Sequence, residues 1–368
     1  MGATEKAGPC HRHDRANRIQ ARRAGGASSP TIPFGVGHPR VSRPDGRPLP
    51  IMTPRPPLEA QHPAETTAAT GDQWVIGHGH QRAVITEVGA TLRSFTVGER
   101  AVIDGFGPGE WSHGGRGQVL APWPNRLGDG RYSFEGVDAQ APLDELSQNN
   151  AIHGLVRWVP WRMTGRAQNR VSMEYELRPS PAYPFALRLA LEYRLGRDGL
   201  TVIADAENLG PTDLPFGLGF HPYLTVGTNT VDMMRLEVPA TNRLIADDRG
   251  LPVGRGPVAG TEFDFTQGRL IGVTRLDTGF TSLIRGADGR ARVELDHADG
   301  GQGTTLWTDE RFGYLMIYTG DTLNPEERRT SLAVEPMTCP PDALRSGTDV
   351  AVLRPGARWT GSWGITPR

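Results

Sequence analysis

The sequence is poor in cysteine and contains no long apolar run. Its two cysteines are Cys10 and Cys339, which excludes a disulfide-stapled scaffold, and we expect no structural disulfide. No stretch approaches the roughly 18–20 apolar residues that span a bilayer. The amino terminus also lacks the apolar core of a secretory signal. These absences predict a cytoplasmic protein without a membrane partner.

An excess of charge of one sign is also lacking. The formal net charge is −1, from 40 basic and 41 acidic residues. The chain therefore has no overall electrostatic attraction for nucleic acid, and we expect no nucleic-acid partner. Lys6 is the single lysine, a bias toward arginine that we attribute to GC-rich coding rather than to a binding surface.

The first 71 residues differ in composition from the rest. Within the first fifty, nine basic residues stand against three acidic ones, among many Pro, Gly and Ser. Such a segment buries too little apolar surface to offset its chain entropy, so we expect residues 1–71 to be a disordered extension. A targeting arm and an RNA-binding tail are the alternatives, and translation from a start codon upstream of Met52 would also produce it.

Helical periodicity is absent after residue 72, where short alternating runs bounded by Gly, Pro, Asn or Asp follow one another. With 47 Gly and 31 Pro, this pattern is typical of an antiparallel sheet protein. No linker-like break interrupts it, so we predict one large all-β sandwich. The predicted strands are Ala83–Val88, Thr91–Val97, Val171–Leu177, Arg188–Leu195, Leu200–Ala206, Thr304–Thr308, Tyr314–Thr319 and Arg358–Ile365.

One histidine stands inside an apolar stretch, LGFHPYLTV, at residues 218–226. Pro222 disfavours the helical region for His221, so the ring extends from an extended backbone. We expect this imidazole to be partly buried and able to act as an acid or a base near neutral pH. A core histidine with its hydrogen bonds satisfied is the alternative.

Two carboxylates accompany apolar runs. Residues 332–334 form an apolar run that delivers Glu335 to what we expect to be the end of a strand, stopped by Pro336. A carboxylate placed there will form an ion pair, lose its charge or serve as a base. Asp277 stands between Leu276 and a Thr-Gly turn, where it is either a turn former or a ligand-binding group.

Two further clusters carry polar side chains on loops. In APWPNRLGDGRY, residues 121–132, the prolines present Asn125 and Arg126, whose planar guanidinium suits several hydroxyl oxygens. In NNAIHGLVRW, residues 149–158, His153 precedes a glycine that leaves space beside the ring. Trp158 and Trp161 are candidates for an aromatic face under a sugar ring, or for core residues.

A metal site is the minority interpretation. His153, His221, Asp277 and Glu335 are suitable ligand types, but no His-x-x-x-His or Cys-x-x-Cys spacing is present. We expect no metal and no cofactor. A nucleophilic serine motif, a phosphate-binding loop and a dinucleotide motif are also missing. Asp277 and Glu335 could form a glycosidase pair, which would leave the histidines unexplained.

Taken in order, these clusters resemble the aldose 1-epimerase (galactose mutarotase) family, in its branch of aldose 1-epimerase-like proteins. The resemblance implies a large β-sandwich catalytic domain over residues 72–368, with a carbohydrate cleft across one sheet. It also implies a cofactor-independent isomerase, present as a monomer or weak homodimer, that binds a monosaccharide. The matching positions are Asn125-Arg126, His153-Gly154, His221-Pro222-Tyr223, Leu276-Asp277 and Val334-Glu335-Pro336.

The resemblance also implies roles for individual residues. Glu335 is the expected base at the C1 hydroxyl and His221 the expected acid at the ring oxygen, placed on opposite sides of the sugar. The expected hydroxyl-binding residues are Arg126, His153, Asp277 and, as a weaker candidate, Asn125. Ring opening, rotation about C1–C2 and reclosure would interconvert the α and β anomers of an aldohexose.

One departure leaves the sugar open. Met316 stands where well-studied mutarotases have a glutamine that contacts the sugar. A hexose 6-phosphate is an alternative substrate, for which Arg126, Arg131 and Arg157 are available as phosphate ligands. A carbohydrate-binding protein that does not turn over its ligand is the other alternative, although such a protein would not need an acid–base pair.

Overall fold

The computed structural model describes residues 68–368, which form 27 strands, two short 3₁₀ turns and one short helix. The strands are β1 (Gln73–His78), β2 (Gln81–Thr86), β3 (Leu92–Val97), β4 (Arg100–Ala101), β5 (Val119–Leu120), β6 (Arg126–Gly128), β7 (Arg131–Phe134), β8 (Val137–Gln140), β9 (Asn150–Ile152), β10 (Arg162–Ala167), β11 (Arg170–Leu177), β12 (Leu187–Gly196), β13 (Gly199–Asn208), β14 (Leu214–Phe216), β15 (Gly219–Phe220), β16 (Tyr223–Leu224), β17 (Met234–Glu237), β18 (Ala240–Ala246), β19 (Pro252–Pro257), β20 (Arg269–Leu270), β21 (Asp277–Leu283), β22 (Ala291–His297), β23 (Gly303–Thr308), β24 (Tyr314–Tyr318), β25 (Leu332–Met337), β26 (Ala351–Leu353) and β27 (Arg358–Pro367). The 3₁₀ turns are Leu146–Gln148 and Val231–Met233, and the helix α1 is Ala343–Ser346.

Two large antiparallel sheets dominate the described residues. The first has nine strands in the order β10-β11-β12-β13-β27-β23-β22-β17-β20. The second has eight, in the order β19-β18-β21-β24-β25-β15-β5, with β16 also paired to β25. A four-stranded sheet, β1-β2-β3-β4, and three two-stranded pairs complete the structure. The all-β prediction is confirmed, and each of the eight predicted strands overlaps an observed one.

Side-chain alternation determines which face of each sheet is buried. Along β12, Leu189 and Leu191 are buried whereas Arg194 is exposed, as the period of two in a strand requires. The rings of Phe220 in β15 and Trp363 in β27 lie 5.0 Å apart between their centroids. The two large sheets therefore contribute to one apolar core, as in a sandwich.

The other face of the eight-stranded sheet carries polar side chains. Asp277 lies opposite Tyr318 across β21 and β24, and Met316 lies opposite Glu335 across β24 and β25. Residues directly opposite share a face, and so do residues two apart on one strand, so these four side chains lie on the same side. Ile317, between the two β24 residues, points into the core and is fully buried.

Glu335 lies inside β25, not at its end as the sequence suggested, because the strand continues through Pro336. The N–H of Val334 donates to Pro222 O and that of Thr338 to Leu218 O, so the nitrogen of Pro336 faces the same neighbour. That neighbour is interrupted between β15 and β16. A missing N–H is tolerated at such an interruption, which explains how the strand accommodates proline.

The prediction of a disordered extension over residues 1–71 lies outside the described residues, apart from the turn at 68–71. Thr70 in that turn is buried, and its carbonyl accepts the N–H of Val88. Cys10 also lies outside, whereas Cys339 is a buried free thiol. No helix within residues 68–368 has the length and apolarity needed to cross a membrane.

Gly154→Ala is predicted to destabilise the fold strongly. The φ of Gly154 is +72°, and an added Cβ would lie 2.0 Å from the carbonyl oxygen of Ala121. The space that the sequence suggested beside His153 is therefore taken by this carbonyl. Strain at positive φ and steric overlap together should lower the free energy of unfolding by about 3 kcal/mol or more in urea titrations.

The matched control is Gly98→Ala. Gly98 has a φ of +59°, but no atom lies within 4 Å of its added Cβ. This variant should lose only about 1 kcal/mol, from the left-handed backbone alone. Equal losses in the two variants would contradict the assigned packing of Gly154 on Ala121.

Candidate active site

The six predicted site residues line one cavity of about 190 Å³ on the polar face of the eight-stranded sheet. Asp277 and Glu335 come from that sheet, His221 from the interruption between β15 and β16, and the others from the loops around β6 and β9. The structure therefore brings together five segments that are far apart in sequence. The lining residues are Gly114, Asn125, Arg126, Ile152, His153, His221, Tyr223, Asp277, Tyr318, Thr322, Leu323 and Glu335.

His221 and Glu335 form a buried contact within this cavity. His221 Nε2 lies 3.3 Å from Glu335 Oε1, and the two residues are 5% and 2% exposed. Neither His221 Nδ1 nor Glu335 Oε2 has a hydrogen-bond partner among the described residues. The pair thus joins one imidazole to one carboxyl group in surroundings that contain little water.

The position of this pair corrects one expectation. The sequence suggested an acid and a base on opposite sides of a sugar, whereas His221 and Glu335 are in direct contact. Adjacent groups suit anomeric chemistry, because the ring oxygen and the C1 hydroxyl are bonded to the same carbon. Because these two oxygens are so close, His221 and Glu335 can reach both of them without standing on opposite sides of the sugar.

Burial favours the uncharged form of both groups. It lowers the pKa of His221 to about 3, and the nearby charges of Arg157 and Arg116 act in the same direction. Burial also raises the pKa of Glu335 well above its usual value; Asp277 adds to this shift and Arg126 opposes it. Both shifts act in the same sense, so burial favours a contact between two uncharged groups over an ion pair.

His153 is held by the backbone of the Asn125 turn. The N–H of Asn125 donates to His153 Nδ1 at 3.2 Å, and the N–H of His153 donates to Asn125 O at 2.8 Å. Since burial lowers the pKa of His153 well below its usual value, the ring is neutral. With Nδ1 accepting, its proton lies on Nε2, which makes His153 a hydrogen-bond donor.

Arg126 is held by two carboxylates at the rim of the cavity. Its Nε donates to Glu145 at 3.0 Å and its Nη1 to Asp277 at 3.3 Å. Burial opposes the charge of Arg126, but these carboxylates outweigh that effect and raise the pKa of the guanidinium. A fixed, permanently charged group with several N–H donors is suited to binding hydroxyl oxygens.

Several residues of the site were missed by the sequence reasoning. Tyr223 and Tyr318 supply the aromatic surface of the cavity, whereas Trp158 is exposed elsewhere and Trp161 is buried in the core. Tyr223 directly follows His221-Pro222, so the motif itself contained the signal. Glu145, which orients Arg126, lies in a polar loop with no distinguishing pattern.

Three of these side chains could hold a metal ion. His153, His221 and Glu335 each place one ligand atom within 4.8 Å of the others. Two imidazoles and a carboxylate suit several divalent transition metals. His153 Nδ1 accepts a backbone N–H, however, so the ring proton lies on Nε2 and neither nitrogen is free to bind a metal ion. The positive charges of Arg116 and Arg157, which lower the pKa of His221, also repel a cation.

The arrangement has counterparts in known proteins. A family model described as aldose 1-epimerase matches residues 72–366. The chain belongs to the aldose 1-epimerase family. Membership supports an isomerase that acts on carbohydrate, and it agrees with the polar cavity on the open face of the sheet.

Relatives of this aldose 1-epimerase family member include two Escherichia coli K12 proteins. The uncharacterized protein YihR is 32% identical over 288 residues, which cover 78% of this chain and 90% of YihR. The uncharacterized protein YphB is 25% identical over 244 residues, which cover 66% of this chain and 80% of YphB. Both alignments extend over most of the relative.

Solved structures show the same galactose mutarotase-like fold. A GalM/aldose epimerase homologue from C. elegans aligns with a TM-score of 0.72 at 19% identity, covering 81% of this chain and 99% of that one. Galactose 1-epimerase from Lactobacillus acidophilus NCFM aligns with a TM-score of 0.68 at 20% identity, covering 80% and 94%. At these identities the likeness concerns the fold alone.

Glu335→Gln is predicted to stabilise this aldose 1-epimerase family member increasingly as the pH rises. With its raised pKa, native Glu335 keeps a proton that the unfolded chain releases near the usual value of 4.5. Wild-type stability therefore falls as the pH rises from there to the raised pKa. The amide has no such proton, so the difference in unfolding free energy should grow by up to about 1.4 kcal/mol per pH unit.

Urea unfolding of both proteins over a series of pH values measures this difference. Glu192→Gln, on the outward face of β12, is the matched control, and its difference from wild type should stay nearly constant. A Glu335→Gln difference that does not change with pH would show that Glu335 is ionised in the native protein.

Proposed function

We propose that this protein interconverts the α and β anomers of a free aldohexose by acid–base ring opening and reclosure. The observation that carries the proposal is the 3.3 Å contact between His221 Nε2 and Glu335 Oε1. It lies in a cavity that Arg126, His153 and Asp277 also line. Acid, base and hydroxyl-binding groups are thus adjacent in one recess.

The proposed reaction moves one proton between two sugar oxygens. In the reactive form of the pair, Glu335 is a carboxylate and His221 an imidazolium. Glu335 takes the proton of the C1 hydroxyl, His221 gives its proton to the ring oxygen, and the bond between C1 and the ring oxygen breaks. The product is the open-chain aldehyde, which rotates about C1–C2. The same transfers in reverse close the ring on the other face.

Burial favours the ring-opening transfers of this cycle, and the pair carries the same number of protons before and after them. Ring opening leaves Glu335 protonated and His221 neutral, which is the form that burial prefers for both groups. The reactive form differs from it by the shift of one proton across the contact. General acid and general base catalysis each contribute about 10²–10⁴-fold, enough for a reaction that already proceeds in water.

The remaining residues of the cavity are proposed to hold the sugar. Arg126 and the Nε2–H of His153 are donors for hydroxyl oxygens, and Asp277 is an acceptor at the rim. Asn125 lines the cavity, but its Oδ1 accepts the N–H of Arg126 at 2.9 Å. We therefore assign Asn125 to shaping the turn as well as to contact with the sugar.

A hexose 6-phosphate is a weaker candidate, because the arginines considered for a phosphate do not converge. Arg126 is engaged by two carboxylates, and Arg157 donates to Asp144 at 2.8 Å. Arg131 lines a separate cavity. A phosphate dianion placed beside Asp277 would meet an acidic side chain rather than a cluster of free guanidinium groups.

A binding protein without turnover is also disfavoured. Burying Glu335 and His221 in contact costs free energy of desolvation, and hydroxyl recognition alone could use uncharged amides. The cost is explained if the shared proton is used in a reaction. Sugar binding without any acceleration of anomer exchange would nevertheless select this alternative.

His221→Asn and Glu335→Gln are each predicted to abolish catalysis without unfolding the protein. Each change removes one proton-transferring group and keeps a polar side chain; Glu335→Gln is nearly isosteric, whereas His221→Asn is smaller than the ring. kcat should therefore fall by about 10²-fold or more. Polarimetry on freshly dissolved α-glucose and α-galactose measures the rate, and circular dichroism checks the fold. His297→Asn and Glu192→Gln are the matched controls and should retain wild-type activity. Wild-type rates in both site variants would remove the mechanism.

The pH profile of kcat/KM should extend far into acid. Adding a second proton to the pair requires protonation of His221, whose pKa burial lowers to about 3. Removing the shared proton requires ionisation of Glu335, whose pKa is raised. Activity should therefore persist well below pH 6.5 and be lost as the pH rises through the raised pKa. An acid limb near the ordinary histidine pKa of about 6.5 would contradict this.

A further inference from the structure

Three side chains form a stack that ends on the catalytic histidine. The ring of Tyr223 lies nearly parallel to that of His221, at 13° and 5.1 Å between centroids. The guanidinium of Arg116 lies 4.5 Å from the centroid of the Tyr223 ring. We call Arg116, Tyr223 and His221 the arginine stack.

Arg116 is one of the most deeply buried charged side chains of the described residues, at 1% exposure. Its Nη2 donates to Asp104 at 3.3 Å, and its Nη1 lies 3.9 Å from Glu327. Glu327 also contacts His113 at 2.5 Å. The guanidinium is therefore anchored by two carboxylates that belong to different loops.

We propose that Arg116 is a positioning residue for His221 and acts on it through the ring of Tyr223. The proposal rests on the proposed function, because it concerns the acid of that reaction. Arg116 does not line the cavity, so it touches no substrate. Any effect on catalysis is therefore indirect and reaches His221 through the Tyr223 ring, the backbone of the 113–118 loop and the charge of the guanidinium.

The geometry explains how the stack fixes the imidazole. The hydroxyl of Tyr223 donates to Gly114 O at 2.8 Å, which fixes the ring in its own plane. The next residue, Gly115, has a φ of +79°, and an added Cβ would lie 2.7 Å from His221 Cδ2. The absence of a side chain there lets the loop approach the imidazole closely. His221 is thus confined by Tyr223 on one side and by the backbone of this loop on another.

The charge of Arg116 supplies a second effect. The groups facing His221 are Glu335 from β25, the neutral ring of His153 at 5.2 Å between centroids, the Tyr223 ring, and the guanidinium groups of Arg157 and Arg116. The two guanidinium charges disfavour the imidazolium, and Glu335 favours it only when ionised. An imidazolium that is disfavoured in this way gives up its proton more readily to a ring oxygen.

A purely structural role would have a different signature. Removing a buried arginine from Asp104 and Glu327 lowers stability whatever its relation to catalysis. Loss of stability alone reduces the amount of folded enzyme, but it changes neither the pKa of His221 nor the kcat of the folded fraction. The kcat of the folded fraction therefore separates positioning from simple support, and the pKa of His221 reports the effect of the guanidinium charge.

Arg116→Met is the test variant, and Arg290→Met is its matched control. Arg290 lies 3.8 Å over the ring of Trp307, so the control removes a similar guanidinium–aromatic contact far from the cavity. The pKa of His221 is followed by NMR of ¹⁵N-labelled histidine rings, assigned by the signal that disappears in His221→Asn. kcat and KM are measured by polarimetry on the same samples.

In Arg116→Met, the pKa of His221 should rise above about 3, while burial keeps it below its ordinary value. kcat should fall about tenfold, because the imidazole loses part of its fixed orientation, with KM nearly unchanged. Arg290→Met should change none of the three quantities. A wild-type kcat in folded Arg116→Met would overturn the proposal.

Arg116→Lys keeps the test decisive if the methionine variant does not fold. Lysine retains the charge but not the planar stack, so the pKa of His221 should stay low while kcat falls and KM holds. A wild-type kcat in this variant would overturn the proposal. The NMR measurement does not depend on catalytic activity. If the wild-type protein shows no mutarotation but the pKa of His221 still shifts in Arg116→Met, the effect of Arg116 on His221 is supported and the proposed reaction is rejected.

Discussion

The site depends on keeping one imidazole and one carboxyl group in contact and away from water. In water, His221 and Glu335 would titrate independently near their ordinary pKa values. At 3.3 Å and almost fully buried, each loses much of the solvation that favours its charged form, which lowers the pKa of His221 and raises that of Glu335. The other features of the cavity can be understood as conditions for that contact. They exclude water, hold the two groups side by side, and leave an opening large enough for a small polar molecule.

The backbone meets these conditions through an interrupted strand. His221-Pro222 lies between β15 and β16, so the imidazole leaves the ladder and reaches the cavity while both flanking segments still pair with neighbouring strands. On the facing strand, Pro336 has no N–H to offer at that interruption. The two prolines are therefore complementary: one breaks the ladder at the histidine, and the other needs no partner at the break. Glu335, directly before Pro336, is delivered beside the histidine as a result.

The strand positions could be predicted from the sequence, and so could the six residues that share the cavity, because both leave local signals. The roles of the six residues stay predictions. Alternation reports the buried face of a strand such as β12, and a histidine before proline reports extended backbone. The sequence could not reveal that the strand carrying Glu335 continues through Pro336. A proline is tolerated there only because the neighbouring strand is interrupted, and that interruption is known only from the folded structure. The sequence also could not reveal Arg116 or Glu145. Each is an ordinary polar residue in a loop, and its importance arises from contacts that only the folded chain creates.

Two arginines near the cavity have structural roles that coding bias does not explain. Arg116 and Arg126 use properties that lysine lacks. Arg126 joins two carboxylates through different nitrogens of one planar group, and the Arg116 guanidinium lies 4.5 Å from the centroid of the Tyr223 ring. Arg126 also keeps its charge, because the neighbouring carboxylates raise the pKa of its guanidinium, whereas a buried lysine loses its proton readily. Arg126 is thus fixed at the rim of the cavity, where its N–H groups face the same space as the buried contact between His221 and Glu335.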